Sequence, residues 1–121
     1  MTAQPFHGEV RARNSAAVVD LTGDIDGNAE EALRAVYHEA VAGSPTTVVL
    51  NFAGVNYINS TGIALIVGLL AEARKAHKTV LAIGLSPHYQ EIFQVTRLAD
   101  FMPMFADEDA ALAGAASPAA T

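Results

Sequence analysis

Two apolar runs separated by a polar segment form the clearest pattern in the chain, over residues 48–70. The first run, residues 48–50, is short and largely β-branched, which predicts a buried strand. The second run, residues 63–70, is longer and rich in Leu, Ile and Ala, which predicts a buried helix. Asn59 and Ser60 come just before this second run. The polar segment therefore leads from a strand into the first turn of a helix.

The rest of the chain continues this alternation of strands and helices. Apolar patterning predicts strands over residues 10–13, 16–21, 46–52, 79–83 and 101–105, the last carrying Pro103 and so expected at a sheet edge. Four helices are predicted. The first runs from Asn28, which forms a possible capping box with Glu31, to Val41, and the second runs from Ser60 to about His77. The third runs from Ser86 and Pro87 to Thr96, and the fourth runs from the cap Asp107 to Leu112.

This order of elements predicts an α/β fold with a single-layer mixed β-sheet of about five strands, a largely parallel core and about four helices. We expect residues 1–112 to form this one domain and residues 113–121 to form a flexible Ala-rich tail. In the helix after Ser60, the apolar stripe expected to face the sheet comprises Ile63, Ile66, Val67 and Leu70. Gly68 is expected to allow a close approach of that helix to the sheet.

Sites in open sheets of this kind form outside the carboxyl ends of the strands. Here that edge is predicted to consist of three loops, over residues 23–27, 51–61 and 84–86. Asp24 and Asp26 lie in the first of these loops. Their ordinary interpretation is a polar turn that leads into a helix, where carboxylates are favoured, and the alternative is contact with a partner.

Composition narrows the class of function. The chain has 121 residues, is 51% hydrophobic and 17% charged, and carries a net charge of −6. This acidic balance argues against nucleic acid or an anionic membrane as the main partner. The sequence contains no cysteine, which excludes disulfides and thiolate chemistry. We find no signal-peptide pattern over residues 1–9 and no apolar run long enough to span a membrane, so a cytoplasmic protein is expected.

Catalytic and metal-binding patterns are weak. The four histidines share no spacing typical of metal ligands, and the glycines match no phosphate-binding loop. The sequence around Ser60 differs from the nucleophile elbow of hydrolases, and no His–acid pair is placed to activate that serine. We therefore expect no catalytic residue, no metal and no cofactor. For Ser60 and Thr61, simple capping of a helix remains an alternative to a functional role, although a helix start also accepts a phosphate readily.

Four stretches together resemble the STAS domain, the family of sulphate transporter and anti-sigma factor antagonist modules. The resemblance covers about residues 18–112 and rests on residues 21–26 (LTGDID), 48–55 (VVLNFAGV), 58–63 (INSTGI) and 92–98 (IFQVTRL), with Phe101 following. In length the chain resembles the standalone bacterial anti-sigma factor antagonists rather than the transporter-fused domains.

The resemblance implies a binding module controlled by phosphorylation. An anti-sigma factor with serine kinase activity would bind the unphosphorylated chain and so release its sigma factor, and phosphorylation at Ser60 would end that binding. Thr61 is the second choice of acceptor. A phosphatase that resets the switch is a further implied partner. The expected partner surface comprises Gly23, Asp24, Ile25, Asp26, Asn59, Ser60, Thr61, Gly62 and Ile63.

Two positions depart from the family pattern. Many members carry Asp before the phosphorylated serine and Asp at the end of the third strand, whereas this chain has Asn59 and Asn51. The loss of these charges could slow phosphorylation. Two alternatives therefore stay open: an accessory subunit of a lipid-exporting ABC transporter, and a component of a stress-sensing scaffold. The sequence leaves the oligomeric state, monomer or weak dimer, undecided.

Overall fold

The structure, a computed structural model, describes residues 4–116. In chain order the strands and helices are β1 (His7–Arg13), β2 (Ala16–Ile25), α1 (Glu30–Val41), β3 (Thr47–Ile58), α2 (Ser60–Lys75), β4 (Thr79–Ile83), α3 (Pro87–Val95), β5 (Met104–Phe105) and α4 (Glu108–Ala116). Short 3₁₀ turns precede α1 (Gly27–Ala29) and β5 (Leu98–Asp100).

The five strands form one mixed sheet in the order β1-β2-β3-β4-β5. The first pair is an antiparallel hairpin, and each later pair is parallel. Parallel neighbours require crossover connections, and α1, α2 and α3 supply them. The predicted α/β fold with a mixed five-stranded sheet and four helices is thus confirmed.

The alternation of side chains along the strands creates two cores, one on each face of the sheet. The larger core lies under α1, α2 and α3; its strand residues include Val19, Leu21, Val48, Leu50, Phe52, Val80 and Ala82. The smaller core lies on the opposite face, where Ala111 of α4 packs against Val18, Val49, Leu81 and Ile83. Each central strand therefore contributes to both cores, which explains its nearly continuous apolar sequence.

Strands β2 and β3 are longer than the sequence pattern predicted. The expected loop at residues 23–27 is strand as far as Ile25, and the expected loop at residues 51–61 is strand as far as Ile58. These two segments pair with each other through two shifts of register, so β3 holds extra residues opposite β2. Bulges let polar, irregular sequences stay in a sheet, and this is why the apolar pattern missed them.

Helix α2 faces the sheet with a different set of residues from the predicted stripe. Ile66 and Leu70 are buried as predicted, but Val67 is 48% exposed, and Leu69 and Ala73 are buried instead. A Cβ atom placed on Gly68 would meet nothing within 4 Å, so this glycine allows no close approach. The prediction for Gly68 was wrong because the helix is rotated so that Gly68 points toward the cleft between α1 and α2.

The helix termini agree with the prediction in three of four cases. Asn59, Ser86 and Asp107 each accept a backbone N–H of the helix that follows, as predicted. The capping box of Asn28 and Glu31 was wrong, because Asp26 accepts the N–H of Asn28 and caps the 3₁₀ turn before α1. At the other end of the chain, α4 continues through Ala116, and residues 117–121 of the predicted tail lie outside the described residues.

Candidate functional site

The first turn of α2 is held by its own sequence. The Asn59 side chain accepts the backbone N–H of Gly62 at 2.8 Å, and its backbone carbonyl accepts the N–H of Ile63 at 2.9 Å. Asn59 has extended backbone angles, as an N-cap requires. The amide groups of Ser60 and Thr61 precede the first intrahelical donor, and within residues 4–116 neither finds an acceptor. In this part of the chain, two backbone donors at the positive end of the helix are therefore left without an acceptor.

Glycine at position 62 lets this turn lie directly on the end of β2. A Cβ atom on Gly62 would collide with the backbone carbonyl oxygen of Ile25. The same carbonyl oxygen accepts the N–H of Asn59 at 3.2 Å. Since the backbone of one element touches the backbone of the other, side-chain motion cannot loosen the contact. Ser60 is thus held at a fixed position beside the end of β2.

Tyr89 of α3 fixes the residue that precedes the cap. Its hydroxyl oxygen accepts the N–H of Ile58 at 2.8 Å and donates to the carbonyl of Ile58 at 3.4 Å. The tyrosine is 8% exposed, so these bonds form away from solvent. The sequence pattern indicated Tyr89 only as part of an apolar helix face. A buried tyrosine generally needs a partner for its hydroxyl, and that is the signal that could have identified this role.

The chain's first described residues cover the end of β2. The Asp24 carboxylate accepts the N–H of Gln4 at 3.1 Å, and the N–H of Asp24 donates to the carbonyl of Gln4 at 3.0 Å. Gly23 has a positive φ of 87°, and a Cβ atom there would collide with the carbonyl of Pro5. No sequence pattern predicted this contact. Asp24 is therefore half-buried and already holds the N-terminal segment.

The predicted partner residues lie together but differ in what they expose. Gly27, the residue after Asp26, lies close to Thr61, since a Cβ atom on Gly27 would be 3.7 Å from the Thr61 methyl group. Ser60 and Thr61 are exposed, and Ile63 is half-buried. Ile25 is fully buried, and Gly62 is buried as well. These two can support the surface from below, whereas the exposed residues are the ones that can touch a partner.

Tyr57 presents an exposed aromatic ring beside Asp24. It pairs with Asp24 in the register between β3 and β2, and it is 51% exposed. Tyrosine is common where one protein binds another, because its ring is apolar and its hydroxyl is polar. The sequence pattern did not indicate Tyr57, because residues 51–61 were expected to form a loop, in which the side chain has no defined direction.

On the face of the sheet that α4 covers, Asn51 belongs to a polar network. Its amide donates to the Asp20 carboxylate at 2.9 Å, and Arg11 binds the same carboxylate with bonds of 2.6 and 3.0 Å. The hydrogen bonds from Arg11 and, secondarily, from Asn51 hold the pKa of Asp20 below its ordinary value. An aspartate at position 51 would instead set two carboxylates side by side. The departure at Asn51 is therefore compatible with Asp20 in this chain.

Some kinds of site are not found in the described part of the chain. Among residues 4–116 there is no group of three or more potential metal ligands. Over the same residues, no helix is long and apolar enough to cross a membrane.

Comparison with known proteins places this chain in a family. A family model described as "Mlab, STAS domain" matches residues 9–105. The anti-sigma F factor antagonist of Lysinibacillus sphaericus is 30% identical over 94 residues, which cover 77% of this chain and 80% of that protein.

Two solved structures show the same fold. An anti-sigma factor antagonist from Mycobacterium paratuberculosis superposes with a TM-score of 0.78 at 22% identity, covering 91% of this chain and 93% of that one. The Bacillus cell fate determinant SpoIIAA in its phosphorylated form gives a TM-score of 0.67 at 27% identity, covering 92% of this chain and 99% of that one. The curated sequence relatives are named as anti-sigma factor antagonists, which are regulatory binding proteins, in agreement with the prediction.

Proposed function

Because the chain belongs to the STAS domain family, we propose that it is an anti-sigma factor antagonist that phosphorylation at Ser60 switches off. In the unphosphorylated form it binds an anti-sigma factor with serine kinase activity in the cytoplasm, and the sigma factor is released. Phosphorylation ends this binding, and a phosphatase restores it. The chain itself is a binding module with no catalytic residue.

The observation that carries this proposal is the position of Ser60. It is the first residue of α2, it is exposed, and its neighbours Asn59 and Gly62 hold the turn in place. An exposed hydroxyl on a rigid turn is accessible to a kinase. The backbone amides of Ser60 and Thr61, which find no acceptor within residues 4–116, could then hold the added phosphate without any refolding.

Repulsion at the interface is large enough to act as the switch. A phosphate adds about −1.5 to −2 charges, and its attraction to the helix end contributes only about 0.3–1 kcal/mol. A partner carboxylate about 4 Å away, at an effective dielectric constant near 20, would be repelled by about 4 kcal/mol per unit charge. Since about 1.4 kcal/mol is tenfold in affinity, binding would weaken several-hundredfold or more.

Paired variants of Ser60 test the proposal. We expect Ser60→Ala, used as bait in a pull-down from the native host, to retain a small ATP-binding kinase that Ser60→Asp loses. The matched control is Ser15→Asp, which adds the same charge at an exposed turn between β1 and β2, at the opposite end of the sheet. If Ser15→Asp also loses the kinase, overall charge explains the result. Equal capture by both Ser60 baits would contradict the proposal.

Asn59 lies next to the proposed phosphorylation site, so a change at Asn59 can test what controls the rate of phosphorylation. Asp can replace Asn as a cap, so Asn59→Asp should keep the fold while adding the charge that many family members carry. With the captured kinase and ATP, we expect Asn59→Asp to be phosphorylated faster than the parent chain, as followed by intact mass. Thr61→Ala is the control and should leave the added mass in place. A phosphate that survives in Ser60→Ala would shift the assignment to Thr61.

The alternative function is an accessory subunit of a lipid ABC transporter. Two observations support this alternative. The description of the matching family model includes the name Mlab, and Asn59 and Asn51 stand where many antagonists carry charged residues. Such a subunit would use the same surface without a switch. The pull-down separates the two functions, because transporter subunits would then be recovered equally by Ser60→Ala and Ser60→Asp.

A further inference from the structure

A second surface lies at the far end of α2 from Ser60. An open cleft of about 580 Å³ separates the C-terminal half of α2 from the segment between α3 and β5. We call it the α2–Phe101 cleft; its walls include Val67, Leu70, Arg74, Thr96, Arg97 and Phe101. Its volume lies within the range of about 300–1,000 Å³ in which proteins hold small ligands.

The walls of the cleft are apolar and partly exposed. Among the described residues, the large hydrophobic side chains that are exposed are Tyr57, Val67, Val95 and Phe101. Val67 and Phe101 line the cleft, whereas Val95, next to the lining residue Thr96, does not. Exposed apolar side chains gathered at one place generally indicate a binding surface. Two of these four exposed side chains therefore line the same cleft.

The rim of the cleft is basic, although the chain as a whole has a net charge of −6. Arg74, Lys78 and Arg97 line it, against the single carboxylate of Asp100. The Arg74 guanidinium lies 5.6 Å from the centre of the Phe101 ring. The macrodipole of α2 can account for a cation at position 74, but Arg97 lies outside that helix. The local charge is therefore opposite to that of the molecule.

The backbone conformation at Arg97 brings Arg97 and Phe101 to the same cleft. Arg97 has a positive φ of 67°, which is uncommon for a residue with a side chain. The turn it makes leads into the 3₁₀ segment before Phe101, and the Arg97 side chain binds Asp100 at 2.7 Å. An apolar wall and a basic rim are in this way combined in one cleft.

From this combination we propose that the α2–Phe101 cleft binds a small amphipathic carboxylate, of the class of medium-chain fatty acids. The apolar body would lie against Val67 and Phe101, and the carboxylate would face Arg74 and Arg97. Ser60 and Arg74 are 14 residues apart in one helix, which is about 21 Å at 1.5 Å per residue. The cleft is thus separate from the phosphorylation surface, and the proposal does not depend on the Ser60 switch.

Decanoate, below its micelle concentration, is the probe for this site. We expect saturable shifts of amide signals around Val67, Arg74 and Phe101 in ¹H–¹⁵N NMR spectra, and no such shifts with the cationic decyltrimethylammonium. Val67→Ser and Arg74→Gln should each raise the dissociation constant for decanoate roughly fivefold. Both side chains are exposed, so these variants should keep the melting temperature of the parent.

Two controls match the variants in chemistry but not in position. Lys75→Gln removes a cation one residue beyond Arg74, and Val95→Ser removes an exposed valine; neither residue lines the cleft. Both controls should bind decanoate like the parent. Absence of saturable shifts, or equal binding of decanoate and the cation, would overturn the proposal. The proposal would also be overturned if the parent did not bind decanoate and Val67→Ser lost kinase capture, because the cleft would then be a protein-docking surface.

Discussion

At the scale of single residues, the site depends on contacts between backbone atoms more than on reactive side chains. Gly62 permits the contact of α2 with the end of β2, and the Tyr89 hydroxyl satisfies the backbone of the residue before the cap. Both contacts position Ser60 without touching it. Changes at either residue should therefore alter stability and geometry, while leaving the chemistry of the serine itself unchanged.

Two glycines of α2 make a matched pair for the first prediction. Gly62→Ala places a methyl group against the Ile25 carbonyl and should lower the free energy of unfolding by about 1–3 kcal/mol. Gly68→Ala meets open space and should raise it by about 0.5–1 kcal/mol, since alanine favours the helix. Urea denaturation measures both. If the two variants change stability in the same direction, the close contact at Gly62 does not exist in solution.

Tyr89 gives a second prediction. Tyr89→Phe removes the acceptor of the Ile58 N–H, and a buried donor left without a partner costs about 1–3 kcal/mol. We expect unfolding at correspondingly lower urea concentrations. Tyr57→Phe is the control because Tyr57 is half-exposed, and it should change stability by less than about 0.5 kcal/mol. Equal effects of the two changes would argue against the buried hydrogen bond.

At the scale of elements, α4 is attached to the sheet by a small apolar contact and an ionic network. Ala111 supplies the buried contact. The Glu108 carboxylate accepts bonds from Arg11 at 2.8 Å and from Arg13 at 2.5 Å, and Arg13 also binds Asp109. These bonds tie α4 to β1 in addition to its small apolar core, and each partly exposed ion pair contributes about 1 kcal/mol or less.

Acid should weaken this attachment. Hydrogen bonds from Arg11 lower the pKa of Asp20 below its ordinary value of 3.8, and those from Arg11 and Arg13 lower the pKa of Glu108 below 4.5. The native state therefore binds fewer protons than the unfolded state, so the stabilisation is complete above about pH 5 and is lost as the pH falls through the lowered values. The expected result is a stability that decreases below about pH 4.5.

The variant Glu108→Gln tests the origin of this acid sensitivity. It removes one carboxylate of the network, and we expect a smaller fall in melting temperature between pH 6 and pH 3 than in the parent. Glu39→Gln is the control, since Glu39 is exposed on α1 and belongs to no ion pair among the described residues. A parent and Glu108→Gln with the same pH profile would show that other groups cause the acid sensitivity.

At the scale of the whole molecule, the proposed switch changes an interface and leaves the fold as it is. Ser60 is exposed and within residues 4–116 its hydroxyl makes no hydrogen bond, so the core does not depend on it. A negative charge at the start of α2 is favoured by the helix dipole. We expect Ser60→Asp to unfold within about 0.5–1 kcal/mol of the parent, as measured by urea denaturation. A larger loss of stability would mean that phosphorylation acts by disrupting the fold.

The sequence by itself determined the order of elements, the mixed sheet and the cap at Asn59. These follow from local causes: apolar periodicity marks the strands and helices, and a side chain such as Asn59 caps the helix that directly follows it. The family motifs, which lie in residues 21–26 and 58–63, brought the two halves of the candidate surface together before any contact was known. Ser60 was proposed as the phosphorylated residue on this basis.

Only the tertiary structure decided the length of β2 and β3, the rotation of α2 and the attachment of residues 4–5 to Asp24. Each of these is a contact between segments far apart in the chain. The polar ends of β2 and β3 are strands because each satisfies the backbone of the other through bulges, and neither sequence is a strand alone. The α2–Phe101 cleft likewise exists because a left-handed turn at Arg97 returns the chain to α2, which local pattern does not encode.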